Sequence, residues 1–269
     1  TYCVIPYARG NNISIPFGNI VKQAQLIVEQ GYNEIVLTGV DITNYGSDLP
    51  GYPKLGNIVT RLLKLCPDLQ RLRLSSIDVA EIDEELLELM KYESRLMPHF
   101  HISVQSGDDM ILKRMKRRHK RHDVIEFCNT ISEVRPNSCF GADFIAGFPT
   151  ETDEMHQNTC NLIKEAGLSL LHVFPYSERP NTPAAKIPLD RQISIYDRKQ
   201  RAKEIRAIGR NNLNKYLQQF ENKKLNVLIE SDMIGKTEEF IKVSLTDSYP
   251  VGEVKRLQIK DVYDDYLLA

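Results

Sequence analysis

Thr1-Tyr2-Cys3-Val4-Ile5-Pro6-Tyr7-Ala8-Arg9-Gly10 opens the chain, with no methionine and a cysteine in third place. Tyr2, Val4, Ile5 and Tyr7 surround Pro6, and Arg9-Gly10 closes the run. Taken alone, Cys3 reads as an ordinary free thiol, because cysteine behaves as a small apolar residue unless its surroundings activate it. Its meaning depends on what the rest of the chain builds around it.

The 269 residues suffice for one large domain and one small one. Hydrophobic residues make up 42% and charged residues 26%, as in ordinary soluble proteins. A net charge of −1 leaves any nucleic-acid affinity to local patches. No apolar run approaches the ~20 residues of a membrane span, and no signal peptide is visible, so a cytoplasmic protein without a membrane partner is expected. The cysteines at 3, 66, 128, 139 and 160 are scattered and odd in number, which argues against a disulfide framework and for a reducing compartment. The last four sit in apolar, patterned segments and read as core.

Outward from the opening stretch, short apolar runs alternate with helical periodicity. Strands are expected at Glu34–Val40, Arg71–Ile77, His99–Gln105, Cys139–Ala146 and Leu168–Phe174. Helices are expected from Gly18 to Gly31, Asn57 to Leu65, Glu81 to Lys91, Asp123 to Val134 and Glu151 to Ala166, the last capped by Thr150. Five strand–helix alternations predict parallel βα units. Asp190 to Phe220 reads as a long charged helix or a pair broken at Gly209. Thereafter alternating segments at 225–230, 239–245 and 254–263 predict a small antiparallel β-barrel.

In a parallel barrel, ligands bind where strands end. Five tips here are polar or contain glycine: Thr38-Gly39-Val40-Asp41, Ser75-Ser76-Ile77-Asp78, Gln105-Ser106-Gly107-Asp108, Gly147-Phe148-Pro149-Thr150-Glu151 and Pro175-Tyr176-Ser177-Glu178-Arg179. The loop of Cys3 is expected at the same mouth.

These stretches, with Ile111 to His119, Asp143 to Glu151, Thr182 and Pro183, resemble in order the signatures of the radical-SAM methylthiotransferases. The opening stretch resembles the end of their C-x-x-x-C-x-x-C cluster loop, with Cys3 as its third cysteine. The resemblance implies an α/β fold: a partial (β/α) radical-SAM barrel over 1–190 that lacks its first strand. A helical connection over 191–222 and a small all-β, TRAM-like RNA-binding barrel over 223–269 follow. The other two loop cysteines, the first strand and an N-terminal domain with a second [4Fe–4S] cluster are expected upstream of Thr1, so the chain reads as an N-terminally truncated, incomplete or inactive fragment.

The resemblance further implies a [4Fe–4S] cluster with Cys3 as ligand, S-adenosylmethionine (SAM), an electron donor, and tRNA bound through its anticodon stem–loop. No catalytic residue is implied beyond the cluster. Thr38 and Gly39 stand where SAM's amino group binds, with Asp41 replacing the usual acid. Ser76 and Gln105 reach toward the ribose. Arg117 either pairs the SAM carboxylate or is one more charge in the basic run Arg114–His122, which is a solvated face or a grip on phosphates. Asp143 is either bonded to a neighbour or aimed at the ligand. Gly147 gives adenine room, and Glu151 is a helix-terminal acid. Lys223, Lys224, Lys236, Lys242, Lys255, Arg256 and Lys260 make the last segment basic, with Phe240, Tyr249 and Tyr263 able to stack bases.

The implied activity is methylthiolation of carbon 2 of threonylcarbamoyl-adenosine beside the anticodon. The alternatives are the isopentenyl-adenosine branch of the family and a non-catalytic RNA-binding remnant. An unrelated phosphate-binding barrel leaves the Cys3 loop unexplained.

Overall fold

The computed structural model describes all 269 residues. Its first half is a curved parallel sheet clothed by helices: α1 Ile5–Arg9, α2 Phe17–Glu29, β1 Glu34–Leu37, α3 Leu55–Leu65, β2 Arg71–Leu74, α4 Glu84–Tyr92, β3 His99–Gln105, α5 Asp109–Met115, α6 Arg121–Val134, β4 Cys139–Ala146, α7 Asp153–Glu165 and β5 Leu170–Pro175. β1 pairs with β2, and β3 with β4 and β4 with β5, all parallel. Parallel bridges Leu72–Leu96 and Ile77–Ile102 join β2 to the β3 side, making one surface. Each expected strand is present, β3 and β4 with the expected bounds. β1 carries no strand on its other edge, against which α1, α2 and residues 11–15 gather. No helix is long and apolar enough to cross a membrane.

Strand periodicity sorts the side chains. Leu72 and Leu74 turn outward into a core with Leu62, Leu86, Phe100, Phe144 and Ile163, while Arg71 and Arg73 belong to the inner face, where both pair with Glu34. Cys66, Cys128, Cys139 and Cys160 are buried, as expected. Side-chain caps start several helices: Asp83 accepts from Leu86 N at 3.0 Å, Asp108 from Met110 N and Ile111 N at 3.0 and 3.1 Å, and Thr152 from Met155 N at 3.2 Å. Such caps contribute about 1 kcal/mol each. Thr152, not Thr150, therefore caps α7; Thr150 has a φ of 73° and precedes the helix. The two-turn α5, which ends where the basic run begins, has no counterpart among the expected helices.

A 24-residue helix, α8 Ile195–Gln218, follows unbroken. Gly209 does not interrupt it; a Cβ there would stand 2.5 Å from Leu171 Cδ1, so the glycine lets β5 pack close. Ala202 and Ile205 join the barrel core, whereas Leu213 and Leu217 join a second core with Phe220, Val227, Ile229, Val243 and Leu267. That core lies under a six-stranded sheet in the order β10-β11-β8-β7-β6-β9. Its strands are β6 Lys224–Ser231, β7 Ile234–Thr237, β8 Lys242–Ser244, β9 Val254–Gln258, β10 Asp261–Val262 and β11 Leu267–Leu268. A turn at 232–233 leads from β6 into β7, and β11 runs parallel to β8; the other pairings are antiparallel.

The C-terminal sheet closes the barrel floor. Arg71 Nη2 donates to Asn226 O at 2.9 Å and Arg73 Nη1 to Glu238 O at 3.0 Å. Phe240 stacks on His99 at 4.9 Å between centroids, beneath Arg73 at 4.9 Å and Lys236 Nζ at 3.2 Å. Phe240 is thus a stopper in the floor and not a platform for bases, and Lys236 is spent on its ring.

At the β3–α5 turn, a Cβ on Gly107 would meet Thr159 Cα at 2.5 Å and Asn158 O at 2.8 Å, both on α7. Gly107→Ala is therefore expected to destabilise the chain by about 1–3 kcal/mol through forced backbone separation, read from the denaturant midpoint.

Candidate active site at the barrel mouth

The opening stretch is pinned at the upper end of the barrel. Thr1 Oγ1 donates to Arg114 O at 3.0 Å, and Ala184 N donates to Thr1 O at 3.1 Å. Tyr2 packs edge-on against Phe148 at 6.3 Å, in an apolar cluster with Ile111, Met115, Tyr176 and Ala184. Thr182, fully buried, donates to Arg179 O at 2.8 Å and accepts from Ala185 N, fixing the turn that carries Ala184. With its neighbours held this way, Cys3 is left exposed at the mouth.

Two cavities meet there, sharing Val4's neighbour Ile5 as a wall. One, about 530 Å³, is lined by Cys3, Gln105, Asp143, Phe174, Ser177 and Arg179. Gln105 ends β3 with a φ of 71°, beside a register shift against β4. The other, about 850 Å³, is lined by Thr38, Gly39, Asp41, Arg9 and the apolar faces of α2 and β1. Cys3, Gln105 and Asp143 are thus brought together, and Thr38 and Gly39 stand in the adjoining space.

The inner face below the mouth is polar. Asp143 Oδ1 lies 3.0 Å from His101 Nε2 and 3.2 Å from His172 Nδ1. Burial pushes the Asp143 carboxyl up, but bonds and charge from His101 and His172 outweigh it and hold it below the ordinary range. Of the two alternatives for Asp143, the structure shows the bonds to neighbours; the residue also lines the smaller cavity. Lower down, burial and Arg73 push His99 well below the usual histidine range, so its ring stacks on Phe240 as a neutral group.

Three expected site residues are placed otherwise. Ser76 is exposed and lines neither cavity; the inner-face period instead turns Ser75 inward, where its Oγ is buried without a partner. Gly147, with φ 71°, faces α8: a Cβ there would stand 2.5 Å from Arg198 Cγ, so its missing side chain makes room for that arginine and not for adenine. Arg117 Nη2 is committed to Asp78 Oδ2 at 2.9 Å and Ser103 O at 2.8 Å, and Arg117 lines neither cavity. Glu151 is a buried partner of Arg201 at 2.9 Å and of Gly147 N at 2.9 Å, a larger part than a helix-terminal acid.

Nor is Arg114–His122 a bare basic face. Arg117 pairs with Asp78, Arg118 with Glu81, Arg121 with Glu165 and His122 with Glu126, and His119 is buried. Lys116 and Lys120 remain exposed without an acidic partner. Sequence reasoning assigned no role to Arg179, His101 or His172. The strand period places both histidines on the inner face with Asp143, and that signal was available.

A [4Fe–4S] cluster is held by several cysteine thiolates, as a rule four. Residues 1–269 present one thiol at the mouth, and the other four lie in the cores. These residues alone do not fit the complete cluster; they fit one ligand of it and the cavities beside it.

Comparison with known proteins agrees with this geometry. The model of the radical SAM superfamily matches residues 1–163. The threonylcarbamoyladenosine tRNA methylthiotransferase MtaB of Rickettsia prowazekii is 54% identical over 99% of this chain and 63% of its own length. The tRNA-2-methylthio-N(6)-dimethylallyladenosine synthase of Zymomonas mobilis is 35% identical over 97% of this chain and 60% of its own. The chain thus spans a little over three fifths of the former's length. Among solved structures, coproporphyrinogen III oxidase of Escherichia coli, a radical SAM enzyme, superposes with a TM-score of 0.53 at 19% identity, covering 75% of this chain and 48% of its own, which is a likeness of fold.

The Arg117–Asp78–His119 network carries a pH signature. Burial raises the Asp78 carboxyl, but the His119 hydrogen bond and the Arg117 charge bring it below its ordinary value. A depressed carboxyl stabilises the fold above its unfolded pKa of about 4 and loses that contribution as pH falls through the folded value. Asp78→Asn should therefore cost stability at pH 7 and flatten the acid limb of a stability–pH profile, read by denaturant unfolding between pH 7 and 2.5.

Proposed function

The chain belongs to the radical SAM superfamily, whose members work with a [4Fe–4S] cluster and SAM, and we propose that it is the greater part of a tRNA methylthiotransferase acting on threonylcarbamoyl-adenosine beside the anticodon. The observation that carries this is the convergence of Cys3 with Gln105 and Asp143 on one cavity at the strand tips, in a chain whose likeness to an MtaB protein runs over 99% of its length. The isopentenyl-adenosine branch is the second reading, because a synthase of that type is similar over nearly the same span.

In this reading Cys3 is one thiolate of the cluster, and the cluster together with SAM supplies the radical. The remaining thiolates and a second cluster belong to a portion outside residues 1–269, as does the first strand beside β1. Thr38 and Gly39 line the larger cavity for SAM's polar end, with Asp41 as the acid. Gln105 offers a side-chain amide to its ribose. Arg179, exposed on the wall of the smaller cavity, replaces Arg117 as the candidate for an anionic group. The pinned N-terminal stretch orients Cys3, and Tyr2, Phe148 and Tyr176 shield its base from water. An electron donor serves the reaction, which takes place in the cytoplasm.

The C-terminal sheet is the TRAM-like RNA-binding unit of this proposal. Tyr263 stacks on Tyr266 at 4.7 Å and 8°, with Lys242 Nζ 5.7 Å from the Tyr266 ring. Lys223, Lys224, Arg256 and Lys260 are exposed on the same unit. This pair is a better stacking surface than Phe240, whose ring is already covered by His99, Arg73 and Lys236, or the half-buried Tyr249. Tyr263→Ala should weaken binding of an anticodon stem–loop by about 1–3 kcal/mol, measured by fluorescence anisotropy at fixed salt.

Deleting the gene in its host, followed by mass spectrometry of tRNA nucleosides, tests the activity. Loss of 2-methylthio-threonylcarbamoyl-adenosine with the isopentenyl derivative unchanged is expected. The reverse pattern supports the second branch. Retention of both leaves an RNA-binding protein without this catalysis.

A further inference from the structure

One constellation on the inner face joins Asp143 of the smaller cavity to two histidines that have no part in the function proposed above. His101 on β3, Asp143 on β4 and His172 on β5 stand on three adjacent strands, and the β4–β5 register places Asp143 directly beside His172. A barrel interior is ordinarily filled by branched apolar side chains. Here a carboxylate and two imidazoles take their place. Room for them is built in: a Cβ on Gly141 would stand 2.6 Å from His101 Nδ1.

The donor atoms converge. His101 Nε2 and His172 Nδ1 lie 3.0 and 3.2 Å from the same oxygen, Asp143 Oδ1, and all three atoms fall within 4.8 Å of one another. An ion bound to nitrogen and oxygen at about 2.0–2.2 Å sets neighbouring donors roughly 3.0–3.4 Å apart. The two imidazole rings lie 4.7 Å apart between centroids, tilted by 35°. These are the only side-chain hydrogen bonds the three residues make. By contrast, Asp78 and Arg117 are also tied to backbone groups, as members of a purely structural network are. The cluster is braced only from within. With a His172 side chain 65% exposed, solvent reaches it from the lumen.

We propose that His101, Asp143 and His172 bind one first-row divalent cation, with its remaining coordination positions open to the lumen. Two imidazoles and one carboxylate suit zinc, cobalt or ferrous iron; magnesium and calcium take oxygen ligands instead. The inference does not depend on the RNA substrate, since it rests on the donor set alone.

The test is a Co²⁺ titration of the chelator-treated chain, followed by visible absorption. Cobalt should saturate at one equivalent, with a d–d band free of the intense thiolate charge transfer, and Zn²⁺ should displace it. His172→Ala alters an exposed side chain, so its unfolding transition should be kept while cobalt affinity falls at least tenfold. Asp143→Asn should have the same effect on affinity. Cys160→Ser should leave cobalt binding intact, which separates this site from the neighbouring His156–Cys160–Glu204 group on α7 and α8. Absence of stoichiometric cobalt uptake overturns the proposal. So does uptake unchanged in both His172→Ala and Asp143→Asn, or uptake lost in Cys160→Ser.

Discussion

Two buried arginines inside the barrel set the terms for everything above and below them. Arg71 and Arg73 are each 2% exposed, and a guanidinium cannot shed its charge, so each must be met by partners. Glu34 supplies one charge for both, and the rest comes from carbonyl oxygens of the C-terminal sheet, at Asn226 and Glu238. Removing that sheet would leave two cations facing a half-empty floor. The barrel and the sheet are therefore one electrostatic unit, and Phe240 seals the joint by lying against His99, Arg73 and Lys236.

A floor closed in this way leaves chemistry to the opposite end. There the first residues act less as a loop than as a wedge: Tyr2 is the apolar anchor, the Thr182 turn is the clasp, and Cys3 is what they present. Thr182 and Pro183 earn their place in the sequence pattern through that clasp. The two cavities that share Ile5 divide the mouth into a chamber beside β1 and another over β3–β5, both walled mainly by apolar side chains with polar groups at the strand tips.

The parallel sheet was legible because its signal is redundant: five apolar runs, each bounded by turn residues, leave little room for another arrangement. β3 and β4 have the expected ends, since alternating burial stops at Gln105 and at Ala146. The tips were harder. Ser76 was preferred to Ser75 without counting the period from Arg71 and Arg73, which puts the odd-numbered residues inside. Arg117 looked free because its partner, Asp78, lies 39 residues away, and a run of basic residues does not reveal acids brought to it by other elements. Gly147 was read as space for a ligand, whereas the space is filled by Arg198 from a helix far along the chain. For Arg117 and Gly147 the missing information was a long-range contact, which local composition does not encode.

Helix α8 has a mechanical meaning. Its first turns hold Arg198 beneath Tyr176 and Gly147, while its last turns supply Leu213 and Leu217 to the second core. Twenty-four residues at 1.5 Å each make a rod of about 36 Å. Without a break at Gly209, the rod fixes the distance between the turn at Tyr176 and the core beneath the C-terminal sheet. Because the helix is continuous, a push on its first turns is carried along the axis to the second core, and the two ends of the fold share one stiff lever.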